Sequence, residues 1–225
     1  MGIVHIPRTF AAIAKGYWKR RTSPLSDHEK SLIGLGFQQP PYVYTSRAGL
    51  FDVDLMFHMN NASYLTHAEL ARWEWSSFGG ILDANLRSRS YFIVTASMIR
   101  FRREIPPLRR FDIETRIGGI DERNLWVYQT FHNFSDGASE NNASSERGKI
   151  LAQVFTQAVI TKKGKVINPR GWIEEHFPAT KESLDALSVS AGDAASLFDE
   201  KAARFKHLEE ALRRSASLYD EESVK

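Results

Sequence analysis

From Tyr42 to Val53 the chain is rich in β-branched and aromatic residues, whereas Tyr64, Ala68, Ala71, Trp75 and Phe78 recur three or four residues apart. The first pattern predicts a strand; the second predicts a helix from about Asn61 to Phe78, stopped by Gly79-Gly80. Alternation then predicts strands at Tyr91–Arg103, Phe111–Ile120, Asn124–Phe134 and Ile150–Thr161. Pro106-Pro107, Asp121–Asn124 and Lys162–Lys165 read as the turns between and after them, and Asn168-Pro169 closes the run. One helix and a mainly antiparallel sheet make an α+β domain over residues 42–170.

The flanks follow other patterns. Residues 1–26 contain no acid but include Arg8, Lys15, Lys19, Arg20 and Arg21, while Phe10, Ile13, Ala14, Tyr17 and Trp18 can form an apolar face. A basic amphipathic helix of this kind serves as a mitochondrial targeting segment, as a peripheral membrane contact through residues 1–21, or as a helix docked on the core. Pro24, Gly34, Gly36, Pro40 and Pro41 make residues 22–41 read as a linker, so that residues 1–41 form an N-terminal segment. Residues 135–148 are rich in Ser, Asn, Gly and Glu and read as an inserted loop. Residues 171–225 form a C-terminal extension, helical from Lys181, in which Phe198, Phe205, Leu212 and Tyr219 recur every seven residues.

At 225 residues the chain has room for one full domain with terminal extensions. The net charge of +3 is small and its cations are dispersed, which speaks against a nucleic-acid partner. With no cysteine there is no disulfide, thiol catalysis or thiolate zinc site, and a reducing compartment is a natural setting. Asn-x-Ser sequons at Asn61, Asn133 and Asn142 would favour secretion, but a glycan on Asn61 would cover the polar cluster described next. No apolar run approaches the roughly 20 residues needed to span a bilayer.

Between the first strand and the helix, Phe51 to Tyr64 gathers Asp52, Asp54, His58, Asn60 and Asn61. Asn60 or Asn61 suits a helix N-cap, and the unpaired amides of the first turn then point back toward the acids. This stretch resembles the Asp-x-Asp-x-x-Gly-His-x-Asn-Asn-x-x-Tyr signature of the hotdog-fold thioesterases, in the branch related to 4-hydroxybenzoyl-CoA thioesterase, with the strongest likeness to proteins similar to thioesterase superfamily member six. The likeness runs from about Tyr42 to Pro169 and takes in Glu69-Leu-Ala-Arg72. It implies a hotdog fold, a sheet wrapped around one central helix, and a homodimer with its sites between protomers. The family's catalytic carboxylate falls on Asp54, and its usual glycine is Phe57 here, whose bulk is expected to narrow or close the substrate path.

Thioester hydrolysis needs a nucleophile or a base for water, and donors for the developing oxyanion. Asp54 is the candidate for either role, and backbone amides near Asn61 are the candidate donors. His58 would orient Asp54, touch substrate, or serve only as a turn residue. Asp52 is expected to be structural, because alternation along a strand sends it to the opposite face. That separation also disfavours a metal site built from Asp52, Asp54 and His58. Phe57, Asn60 and Tyr64 are candidate substrate contacts, with Arg100 and Arg102, or Arg103, Arg109 and Arg110, for the phosphates of coenzyme A. Coenzyme A enters only as part of the substrate, and no separate cofactor is expected. Trp73, Trp75 and Phe78 could line an acyl pocket, and Glu69 and Arg72 are expected to pair along the helix.

Two functions fit these residues. The first is an acyl-CoA thioesterase acting on an acyl- or aryl-CoA through Asp54. The second is a catalytically silent hotdog subunit held in a larger assembly by its terminal helices. The expected compartment is mitochondrial, with the cytoplasm or the surface of an internal membrane as alternatives.

Overall fold

The helix foreseen after the polar cluster is α3, Asn61–Gly79. In the computed structural model Asn60 caps it, accepting the Ser63 amide at 2.9 Å through Oδ1. The structure describes residues 2–35, 41–134, 148–181 and 184. Met1–Lys181 form one unit and Glu182–Lys225 another. The expected loop at 135–148 and the seven-residue repeat beyond Lys181 lie largely or wholly outside the described residues.

Strands β1 (Tyr42–Arg47), β2 (Ser90–Phe101), β3 (Arg110–Ile120), β4 (Asn124–Asn133), β5 (Ile150–Lys162) and β6 (Lys165–Ile167) form one antiparallel sheet. Its order is β1-β3-β4-β5-β2, with β6 against β5, so β1 and β2 stand at its edges. Inward residues of the sheet, Phe111, Ile113, Phe131 and Val154, meet Tyr64, Ala68 and Ala71 of α3. Burying each of the large apolar side chains stabilises the fold by about 2 kcal/mol, which fixes α3 across the sheet.

Four local expectations need correction or extension. β1 ends at Arg47 and a single 3-10 turn, Leu50–Asp52, follows, so Asp52 and Asp54 are separated by a turn and not by strand alternation. The expected linker contains α2, Asp27–Gly34, held by a reciprocal capping box between Ser26 and Glu29. Gly80, at φ 78°, ends α3 but also begins α4, Ile81–Ser88. Asn168-Pro169, read as the close of the run, also opens a helix, α5, Pro169–His176.

The N-terminal helix α1, Gly2–Thr22, packs along α3 with a polarity opposite to that of a free amphipathic helix. Arg8, Lys15, Lys19 and Arg20 reach inward. Lys15 and Lys19 reach the fully buried carboxylate of Glu74 at 3.2 and 2.7 Å, and the Tyr42 hydroxyl donates to Glu74 at 2.8 Å. Gly16 allows this approach, because a Cβ there would collide with the Glu74 carbonyl oxygen and with Ser77. Ile6, Phe10 and Trp18 are left exposed on the outer face.

Candidate functional site

The polar cluster resolves into two separate environments around its two acids. Asp52 is buried. Its Oδ1 accepts from Arg8 of α1 at 3.0 Å, its Oδ2 accepts the Gly49 amide at 2.9 Å, and Oδ2 lies 3.1 Å from His67 Nε2 of α3. Its main-chain oxygen takes both the Asn60 amide at 2.8 Å and Asn60 Nδ2 at 3.1 Å. Burial works against ionisation, but the His67, Gly49 and Arg8 hydrogen bonds outweigh it and hold the carboxyl well below the ordinary carboxylate range. Asp52 therefore ties α1, α3 and the 49–60 segment together.

Asp54 sits on the open side of that knot, its side chain 35% exposed. An isolated bridge between Val53 and Met59 closes a small loop, within which Asp54 Oδ1 accepts the Met56 amide at 2.9 Å. Oδ2 is left 3.6 Å from His58 Nδ1, which also lies 3.3 Å from the Met59 carbonyl. His58 thus lies next to Asp54 while its ring nitrogen also faces a backbone carbonyl of the turn. At the start of α3, which this loop leads into, Asn60 takes up the Ser63 amide while the amides of Asn61 and Ala62 have no acceptor among the described residues. Arg8 and His67 enclose Asp52, whereas Asp54 lies beside His58.

The other candidates scatter. Phe57 does not close a path: its side chain is 79% exposed and its backbone adopts φ 58°, the left-handed region in which the family's glycine is free of strain. Asn60 spends both ends of its amide on the backbone, so it is a cap. Tyr64 is a core residue, packed on Phe101 and Phe131, with its hydroxyl 3.4 Å from the Arg103 carbonyl and pushed up to about 12 by burial. Arg100 and Arg102 are exposed at the end of β2, where Arg102 donates to Gln153 at 3.2 Å. Arg109 and Arg110 line a shallow concavity with Arg47, and Arg110 stacks on Phe134 at 3.7 Å.

Sequence reasoning missed the chemistry of the helix face beyond the motif. A cavity of about 620 Å³ opens between α3, α4 and the β2 side of the sheet, lined by Leu65, Trp73, Trp75, Phe92, Leu125 and Val127 among others. This is the size and apolar character of a small-molecule pocket. Trp73 and Trp75 line it as expected, whereas Phe78 packs on Tyr42. Asp54 and Phe57 are not part of its wall. Glu69 and Arg72 are, yet they form no direct ion pair. Glu69 accepts from the Trp73 indole at 3.3 Å and lies 3.3 Å from His5, while Arg72 donates through Nη1 to Gln129 at 2.9 Å and Thr156 at 3.3 Å. The Glu69-to-Arg72 spacing was visible in the sequence; its inward direction depends on sheet residues more than 50 positions away.

Comparison with known proteins identifies the family and the fold. A family model described as the thioesterase-like superfamily matches residues 49–176. Protein THEM6 of Danio rerio is 36% identical over 95 residues, 42% of this chain and 47% of that protein. Thioesterase lcsJ of Purpureocillium lilacinum is 24% identical over 185 residues, 68% of this chain and 56% of that protein. The chain thus spans about half the length of the curated relatives it matches. Among solved structures, a probable thioesterase from Escherichia coli superposes with a TM-score of 0.51 at 18% identity, covering 59% of this chain and 93% of that one, a likeness of fold.

Proposed function

We propose, from the premise that this chain belongs to the thioesterase-like superfamily and has its hotdog fold, that it hydrolyses an acyl- or aryl-CoA thioester with Asp54 as the essential carboxylate. The observation that carries the proposal is the placement of Asp54. A partly exposed carboxylate, with one oxygen fixed by the Met56 amide and the other facing His58, lies in the loop that leads into a 19-residue helix whose Asn61 and Ala62 amides have no acceptor among the described residues. Those amides and the positive end of the helix stabilise the oxyanion that forms as the thioester carbonyl becomes tetrahedral.

Two routes use the same geometry. In one, Asp54 attacks the carbonyl carbon, the carbon–sulfur bond breaks, CoA leaves as the thiol after protonation, and water opens the resulting mixed anhydride. In the other, Asp54 takes a proton from water as that water attacks the carbonyl carbon, and the tetrahedral intermediate then collapses with cleavage of the carbon–sulfur bond to give the free acid and CoA, whose sulfur receives a proton. His58 is a positioning residue in both, steadying the free oxygen of Asp54.

The cavity beneath α3 is the acyl-binding volume in this reading, and because Asp54 of the same protomer does not line it, the site is completed across a homodimer. Support for that pairing comes from β2, an edge strand that exposes Tyr91, Ile93 and Val94. The alternative, a silent subunit of a larger assembly, is favoured by one feature. Leu50, Phe51, Leu55, Met56 and Phe57 stand 75–96% exposed around the Asp54 loop, a surface suited to burial by another chain.

The outer face of α1 supports peripheral membrane contact by residues 1–21, on mitochondria or another internal membrane. Loss of α1 as a cleaved leader would strip the buried Asp52 and Glu74 of their cations, so the reading favoured is a retained helix.

The test is CoA release by the purified chain across a panel of acyl- and aryl-CoA thioesters, with native mass measured alongside. Release from at least one substrate at dimer mass is expected. No release across the panel, from protein that purifies within a large complex, would favour the silent subunit.

A further inference from the structure

The cavity beneath α3 holds a cation that the hydrolytic chemistry does not use. Arg72 of α3 lines it beside Glu69 and a few hydroxyl and amide side chains, in a wall that is mainly apolar, with Trp73, Trp75, Phe92, Leu125 and Val127. Its Nη1 is anchored by the neutral acceptors Gln129 Oε1 and Thr156 Oγ1 on the sheet. Gln129 is fixed in turn, since its Nε2 donates to the Ala68 carbonyl at 2.9 Å and to Thr115 Oγ1 at 3.0 Å. The guanidinium is therefore held at one corner while Nε and Nη2 have no acceptor among the described residues. Those two atoms carry parallel N–H bonds on one edge of the planar group, the edge that fits both oxygens of a carboxylate.

The charge has little compensation. Glu69, one turn earlier on α3, is the acid whose field acts on Arg72, but its carboxylate is engaged by the Trp73 indole and His5. Burial dominates and draws the Arg72 pKa below that of a free guanidinium, to about 10, so the group remains a cation at neutral pH in poorly solvated surroundings. A desolvated guanidinium with two aligned free donors on the wall of an apolar cavity is matched by an apolar ligand that ends in an oxygen anion.

We propose that the cavity binds acyl groups carrying a carboxylate at the end away from the thioester, and that Arg72 is the specificity-determining residue, receiving that carboxylate in a side-on pair. The proposal deepens the thioesterase reading and rests on it for the word acyl; the recognition of an apolar chain with a terminal carboxylate rests on the cavity alone.

Two measurements separate these dependencies. In the first, CoA release is compared for suberyl-CoA and octanoyl-CoA, which have the same chain length and differ in the distal carboxylate. The full-length protein is expected to favour suberyl-CoA in kcat/KM by about tenfold or more, as a site built around a charged hydrogen bond discriminates. Arg72→Met should erase the preference, and Arg72→Lys, which keeps the charge and loses the fork, should retain only part of it. In the second, monomethyl suberate and dimethyl suberate are titrated calorimetrically into the same proteins without any thioester. The monoanion should bind the wild type about tenfold or more tightly than the neutral diester, and equally weakly with it to Arg72→Met.

Binding selectivity without hydrolysis would leave this proposal standing and remove the thioesterase reading. Equal binding of the two esters by the wild type, or a preference for octanoyl-CoA, would overturn the proposal, and neither result depends on whether the variants fold.

Discussion

Asp52 and Asp54 lie two residues apart and face opposite demands. On the Asp52 side the molecule is closed. Arg8, His67 and the Gly49 amide surround the carboxylate, and one helical span along, Lys15, Lys19 and Tyr42 surround the buried Glu74. On the Asp54 side it is open, with a carboxylate free at one oxygen, exposed apolar side chains from Leu55 to Phe57, and helix amides without acceptors. A carboxylate whose acceptor sites are spent on cations and amides holds elements together; one with an oxygen left over, beside unspent donors, can meet a substrate. The same loop supplies both because the 3-10 turn at Leu50–Asp52 turns one acid under α1 and leaves the other outside.

The contrast can be broken most forcefully at Glu74. Glu74→Ala leaves the Tyr42 hydroxyl and two lysines without their shared acceptor, and should cost about 3 kcal/mol in urea unfolding, as losing one member of a buried charged network does. Asp52→Asn keeps the shape but not the charge and should cost about 2 kcal/mol, with α1 released more readily, seen as faster amide exchange in residues 5–20.

Acid sharpens that second result. The folded Asp52 carboxyl gives up its proton at lower pH than the unfolded one, so the unfolded chain binds the extra proton on acidification. The stability Asp52 contributes is complete above the ordinary carboxylate pKa near 3.9 and declines as pH falls below it. The gap between the wild type and Asp52→Asn should therefore narrow from about pH 4 downward in unfolding curves. The smallest effect belongs to the open side: Phe57→Gly relieves a left-handed backbone and should raise stability by about 0.5 kcal/mol.

Much of the scaffold was legible because its signals are local. The α3 repeat, the Asn60 cap, the strand runs and the Lys162–Lys165 turn each lie within a few residues of the structure they determine. The capping box of α2 was local too, yet neighbouring Pro and Gly masked it. What could not be read depends on distant partners. The inward turn of the α1 cations needs Asp52, 44 residues from Arg8, and Glu74, 55 residues from Lys19. The direction of Arg72 needs Gln129 and Thr156 on the sheet. Asp54 falls on the open side of the loop that leads into α3, but the strand alternation invoked for Asp52 failed because β1 ends at Arg47.

The most direct test of the account is the rate of CoA release by Asp54→Asn, measured with its unfolding midpoint on the substrate the wild type hydrolyses best. A drop of about a thousandfold with an unchanged midpoint is predicted, because among the described residues Asp54 is tied only to its own loop. Wild-type rates from Asp54→Asn would contradict the account, and so would a lowered midpoint of the kind expected for Asp52.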